Sequence, residues 1–349
     1  MATTRLTWSE ELGKRVRTGP WEDQVVSTVT KIVEAAQEGR AEEATQLLDY
    51  FMEEAKVVVN IYRSWFPRFR GWLEDQGLAA DDIDGEIGRL MALLALPDGR
   101  RFDPDALWDE LSARSGRLAG SLRVGATPLA AALTELDAVR EDWRRLHDRW
   151  ADLLSGVLTV VARRFGEDAL EPCYRHVLEP YVDERYMVYD LRLQEYADTV
   201  YRNLYTTAEA MRAHLCGDGR RGDIELEEHD DRWEFRFDPC GSGGRVVRGD
   251  DVEQTGPRPE PPYEFGTTQA PHDWAWNEQG VCYYCAHCCF ALERLPAERW
   301  GHPVRVVDPP LYRGPGQPAE PLRCQWTVYK TVEAIPAGAY ERIGLTKPS

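Results

Sequence analysis

The chain has 349 residues, 43% of them hydrophobic, and a formal net charge of −18. That length allows two or three domains with a sizeable core, and no apolar run approaches the roughly 20 residues that span a bilayer. The acidic balance repels phosphate backbones and anionic lipid surfaces, so neither nucleic acid nor a membrane is an expected partner. The N-terminal MATTRLTWSEELGKRVRTG has no apolar stretch behind its basic residues, unlike a secretory signal, which points to a cytoplasmic protein.

Helical patterning runs to about residue 215. Residues 21–38 place Val25, Val29, Ile32 and Val33 at helical spacing and stop at Gly39. Residues 41–76 continue in the same way to Gly77, and Pro67 is expected to kink or divide them. Residues 81–96 form another helix, closed by Pro97-Asp98-Gly99, and Asp103-Pro104 opens the next. Thr127-Pro128 leads into the longest segment, reaching about Phe165, with one apolar stripe through Leu133, Leu136, Val139, Trp143, Leu146, Trp150, Leu153, Leu154 and Val157. Residues 167–177 and 189–215 complete a helical bundle assigned to residues 1–217. Tyr62-Arg-Ser-Trp65 and His147-Asp-Arg-Trp150 echo each other in two long helices; similar amphipathic faces explain this as well as duplication does.

The period then changes to two. Residues 223–228, the turn His229-Asp-Asp and residues 232–237 read as a β-hairpin with one buried face. Residues 248–271 are acidic and proline-rich and are expected to be an exposed loop. A short helix over 284–295 and strands over 304–307 and 325–329 follow. The expected fold is α+β: the helical bundle, then a small cysteine-rich domain over 223–349 with an antiparallel sheet and one short helix.

Of eight cysteines, Cys173 and Cys216 sit among helical residues and read as buried small hydrophobes. The other six follow Phe237, and in a reducing compartment such clustering suggests metal or catalysis before disulfides. Cys285 and Cys288 form a CxxC pair in the first turn of a helix, where terminal N–H groups favour thiolate. Cys240 and Cys324 complete a set of four thiolates, with His287 or His302 able to replace one. Zinc is the default ion for such a set, and iron an alternative. A metal-free reactive thiol and inert packing both stay open. Cys282 and Cys289 are surplus to four ligands, which makes Cys289 a candidate nucleophile, with His287 and His302 as proton carriers. Cys240-Gly-Ser-Gly-Gly-Arg245 suggests an anion-binding nest in which Ser242 and Arg245 hold substrate, or equally a mobile turn. HExxH, Gly-x-Ser-x-Gly and the phosphate- and dinucleotide-binding glycine patterns are absent from the sequence.

Phe235-Arg-Phe-Asp-Pro-Cys240, the helix-borne Cys285-Ala-His-Cys288, a strand, and Cys324-Gln-Trp-Thr-Val-Tyr329 follow one another in an order that resembles the L-2-amino-thiazoline-4-carboxylate hydrolase-like family, over about a third of the chain. The resemblance implies a helical part joined to a cysteine-bearing α/β part, and hydrolytic opening of a small sulfur–nitrogen ring by cysteine chemistry. The Gly-Ser-Gly-Gly loop, the extra cysteines and the proline-rich insertion depart from that pattern. The expected function is an enzyme on a small organic molecule, a hydrolase with a metal-thiolate site or an activated cysteine. The rival is a non-catalytic ligand-binding or scaffolding protein with structural zinc. Self-association through the helical domain is left open.

Overall fold

The fold is built on one long helix whose second half is buried on every side. The structure, a computed structural model, describes residues 5–125, 127–317 and 323–348. A hairpin of β1 (Arg5–Ser9) and β2 (Lys14–Thr18) precedes a short α1 (Trp21–Gln24) and α2 (Thr28–Gln37). The single helix expected over 21–38 is therefore two: Ser27 leaves helical geometry and its hydroxyl accepts from the Thr30 N–H at 3.0 Å, capping α2. α3 (Ala41–Asp75) runs through Pro67 as one helix, so of the expected kink or division the division does not occur. α4 (Ala80–Leu93) and α5 (Pro104–Val124) follow, the latter capped by Asp103 with proline at its start.

α6 (Leu129–Phe165) departs from the single apolar stripe. Every residue from Leu146 to Val161 is buried, including His147, Asp148, Arg149 and Asp152. A helix enclosed on all faces cannot leave such groups to water, so each must find a partner within the protein. α7 (Leu170–Tyr186) packs against it, and α8 (Tyr196–Ala213) packs against α3.

The chain then forms β3 (Glu225–Glu228) and β4 (Arg232–Phe237), later joined by β5 (Val306–Asp308) and β6 (Cys324–Tyr329). These make an antiparallel sheet of order β3-β4-β6-β5, in which Phe237 pairs with Cys324. Of the segment read as a glycine loop, Cys240 is irregular, Gly241 and Ser242 form a turn, and Gly243 to Arg245 opens α9 (Gly243–Arg248). The expected helix over 284–295 is longer and composite: α10 (Tyr283–Cys288), a π-turn over Cys289–Arg294, and α11 (Leu295–Trp300). α12 (Ala337–Glu341) comes last.

The architecture is α+β, and one hydrophobic cluster extends from Val29 through α3, α6 and α7 to Phe235, Phe237, Val328 and Ile343. The helical and cysteine-rich regions therefore share a core. Residues 248–271 are mostly irregular, as expected, yet they are pinned to α6 and to neighbouring segments. Arg258 Nε donates to Asp152 at 3.0 Å, and Glu253 accepts from Arg149 at 3.0 Å and Arg144 at 3.2 Å. Charged residues of this loop are the partners that buried α6 requires, so it is exposed only in part, with Arg258 and Asp250 buried and Val252 exposed. No helix among the described residues is long and apolar enough to cross a membrane.

Candidate active site

A cavity of about 110 Å³ opens between α3, α7, α8, α10 and β6. Tyr62 and Trp65 come from α3, His214 from the end of α8, His287 and Cys288 from α10, and Trp326 from β6. Tyr62 and Tyr284 join α3 to α10 through their hydroxyls, 2.7 Å apart, which sets the height of α10 on the cavity wall.

Cys288 and His287 sit side by side on that wall. His287 Nδ1 bonds the Tyr284 carbonyl oxygen. A carbonyl only accepts, so Nδ1 carries the proton and Nε2 keeps its lone pair. That lone pair faces Cys288 Sγ at 3.4 Å. Trp65 and Tyr284 meet the imidazole edge-on at 5.1 and 4.7 Å between centroids, holding its plane. Burial pulls the His287 pKa down to about 4, so the ring is neutral at pH 7. Burial pushes the Cys288 thiol up, so the pair rests as thiol and imidazole. This is a nucleophile within reach of a base that a third group orients.

A second chain of groups reaches the same cavity from α6. Asp148 Oδ1 lies 2.9 Å from His147 Nδ1, and His147 Nε2 lies 2.7 Å from His214 Nδ1. Burial alone would raise the Asp148 pKa; the guanidiniums of Arg220 and Arg245 hold it well below the usual carboxylate range. A carboxylate that only accepts sets every later tautomer. His147 donates from Nδ1 and accepts at Nε2, so His214 donates from Nδ1 and presents a bare Nε2. Burial pulls His147 down and His214 to about 3, keeping both rings neutral. Gly241 permits the approach of α9: a Cβ there would lie 1.8 Å from the His214 carbonyl oxygen.

The four sulfurs expected to share a metal are divided among three neighbourhoods. Cys240 interacts with the thiols of Cys216 and Cys324, which with the Gly244 and Ser242 N–H groups hold its pKa well below the thiol range. Cys285 meets Cys282, whose sulfur caps α10 by accepting from the Cys285 N–H at 3.2 Å. Cys288 faces His287 and the cavity. Among the described residues, the one set of His, Cys, Asp and Glu donor atoms lying within 4.8 Å of one another is Glu227, His229 and Glu234 on the β3–β4 hairpin. Arg232 and Arg236 already engage Glu234, at 2.8 and 2.6 Å. Among the described residues, no three of the sulfurs of Cys240, Cys285, Cys288 and Cys324 lie within 4.8 Å of one another, so the expected four-ligand set is not drawn together here.

The other expected residues separate in the same way. His287 lines the cavity; His302 does not, and its two ring nitrogens each lie 3.0 Å from a carbonyl oxygen, of Pro303 and of Tyr189. Cys289 turns away toward the Asp273 carbonyl at 3.6 Å. Arg245 is 1% exposed and spent on Asp152 at 2.6 Å and the Asp148 carbonyl at 2.8 Å, so it has no donor for a substrate anion. Ser242 Oγ lies 3.6 Å from Cys240 Sγ, outside the cavity lining. Sequence reading missed Asp148, His147 and His214, and took Cys216 for packing. The one available signal was His147 at the helical spacing of the apolar stripe through Trp143, Leu146 and Trp150.

No family model matches this chain, and neither a curated protein nor a solved structure matches it.

Proposed function

We propose that the protein is a hydrolase that acts on a small organic molecule in this cavity, with Cys288 as nucleophile and His287 as its base. The observation that carries the reading is the 3.4 Å contact between Cys288 Sγ and a His287 Nε2 whose tautomer the Tyr284 carbonyl fixes. The Cys288 thiol proton passes to His287 Nε2 as sulfur bonds to an electrophilic C=O or C=N carbon. The imidazolium then returns that proton to the departing group, leaving an acyl- or imidoyl-sulfur intermediate. Water attacks this intermediate as His214 Nε2 takes its proton, and that proton then passes to the released sulfur, restoring the Cys288 thiol and neutral His214.

Iodoacetamide labelling, followed peptide by peptide by mass spectrometry, tests the reading. Cys288 is expected to react faster than the buried Cys173 and Cys289, and His287→Gln to slow Cys288 by at least about tenfold. Labelling of Cys288 no faster than Cys173, or at an unchanged rate in His287→Gln, would remove the nucleophile from the scheme.

A further inference from the structure

We infer that Arg185 and Arg305 form a subsite in this cavity for an oxyanion, carboxylate or phosphate, carried by a small ring-bearing molecule. This deepens the reading of the cavity as a substrate site and rests on it.

The charges lining the cavity do not cancel. Lys14 Nζ is 2.6 Å from Glu209, and Glu54 is bonded by Arg212 at 2.9 Å. Arg185 and Arg305 remain, and among the described residues neither has a carboxylate within the 4.0 Å of an ion pair. Arg305 is 3% exposed. Its Nε donates to Asn203 Oδ1 at 2.8 Å and its Nη2 to Thr206 Oγ1 at 3.0 Å, and the Tyr186 hydroxyl is a further partner; these fix the guanidinium plane and none is a carboxylate.

Other deeply buried arginines of this chain are treated differently. Arg212 has Glu54, Arg245 has Asp152, and Arg144 has Asp148. A desolvated guanidinium without a counter-charge is costly, and its planar fork matches the two oxygens of a carboxylate or phosphate. Arg185 adds a second cation, 6.0 Å from the Tyr181 ring centroid, with no hydrogen bond or ion pair to the described residues. Trp326, 5.4 Å from the Arg305 guanidinium, together with Trp65, Tyr181 and Tyr186, supplies flat apolar walls suited to a ring. An anion held there keeps the rest of its molecule in the cavity that Cys288 also lines.

The test is titration of the full-length protein with benzoate, phenyl phosphate and, as neutral control, benzyl alcohol, read by calorimetry and by tryptophan fluorescence. One anion is expected to saturate one site and benzyl alcohol none; benzoate would identify a carboxylate and phenyl phosphate a phosphate. Arg185→Gln is expected to weaken binding by about tenfold to a hundredfold, as loss of a charged hydrogen bond does. Arg305→Gln should weaken it further, but it also breaks the bonds to Asn203 and Thr206, so Arg185→Gln decides the matter if Arg305→Gln does not fold. Saturation by neither anion, or equal affinity in wild type and Arg185→Gln, would overturn the subsite. Cys288 alkylation is measured without any anion, so the subsite and the nucleophile fail separately.

Discussion

His147 Nε2 and His214 Nδ1 lie 2.7 Å apart, and that contact joins the buried Asp148 carboxylate to the cavity. Because the carboxylate only accepts, the protons along the chain are ordered and the His214 nitrogen at the cavity is basic. Long-range nitrogen–proton NMR of histidine-labelled protein at pH 7 should find His214 protonated on Nδ1 and bare on Nε2. A proton on Nε2 would reverse the chain and take from His214 its role toward water.

Asp148 also holds the interior together. It accepts from Arg220 at 2.7 Å, Arg144 at 3.0 Å and His147 at 2.9 Å. Asp148→Asn removes the charge that these cations share, and breaking a buried pair in this way costs about 3–5 kcal/mol. Urea denaturation should show a loss of that order, or a protein that does not fold. A loss below about 1 kcal/mol would mean that the cations find other partners.

The neutral histidines predict acid lability. His214 titrates at about 3 and His287 at about 4 in the folded protein, against 6.5 when unfolded. Between pH 6.5 and 4 the unfolded chain binds protons that the folded one refuses. Stability is therefore complete above pH 6.5 and is lost as pH falls through this window. His287 alone accounts for on the order of 3 kcal/mol by pH 4. Denaturation midpoints followed from pH 7.5 to 4 should fall, and should fall less steeply in His287→Gln; parallel curves would contradict the assignment.

Gly243 is where α9 touches α10. A Cβ there would lie 2.1 Å from Cys285 Sγ, so Gly243→Ala must displace either the sulfur or the backbone. Overpacking of this kind costs about 1–3 kcal/mol. At Gly256 an added Cβ meets nothing within 4 Å, so Gly256→Ala should change stability by less than about 0.5 kcal/mol. Equal melting temperatures for the two variants would show that the contact yields freely.

The helices from α3 to α6, the β3–β4 hairpin and, to within one residue, the helix start at Tyr283 were legible in the sequence because each is written in local spacing: three to four residues for helices, two for strands, Ser, Asp, Gly and Pro at their ends. The positions of the cysteines at strand ends and a helix start were legible for the same reason. No local spacing encodes the meeting of His147 with His214, 67 residues apart, or of Cys216 with Cys240 and Cys324. Arg245 and Arg305 look alike in the sequence. Packing gives one of them two carboxylates at the buried face of α6 and leaves the other facing a cavity with only neutral acceptors. A cysteine's role turns on the direction of a single Cα–Cβ bond, and a charge's role on which partner reaches it in the folded chain. Tertiary structure alone therefore set Cys288 beside His287 on the wall of a cavity.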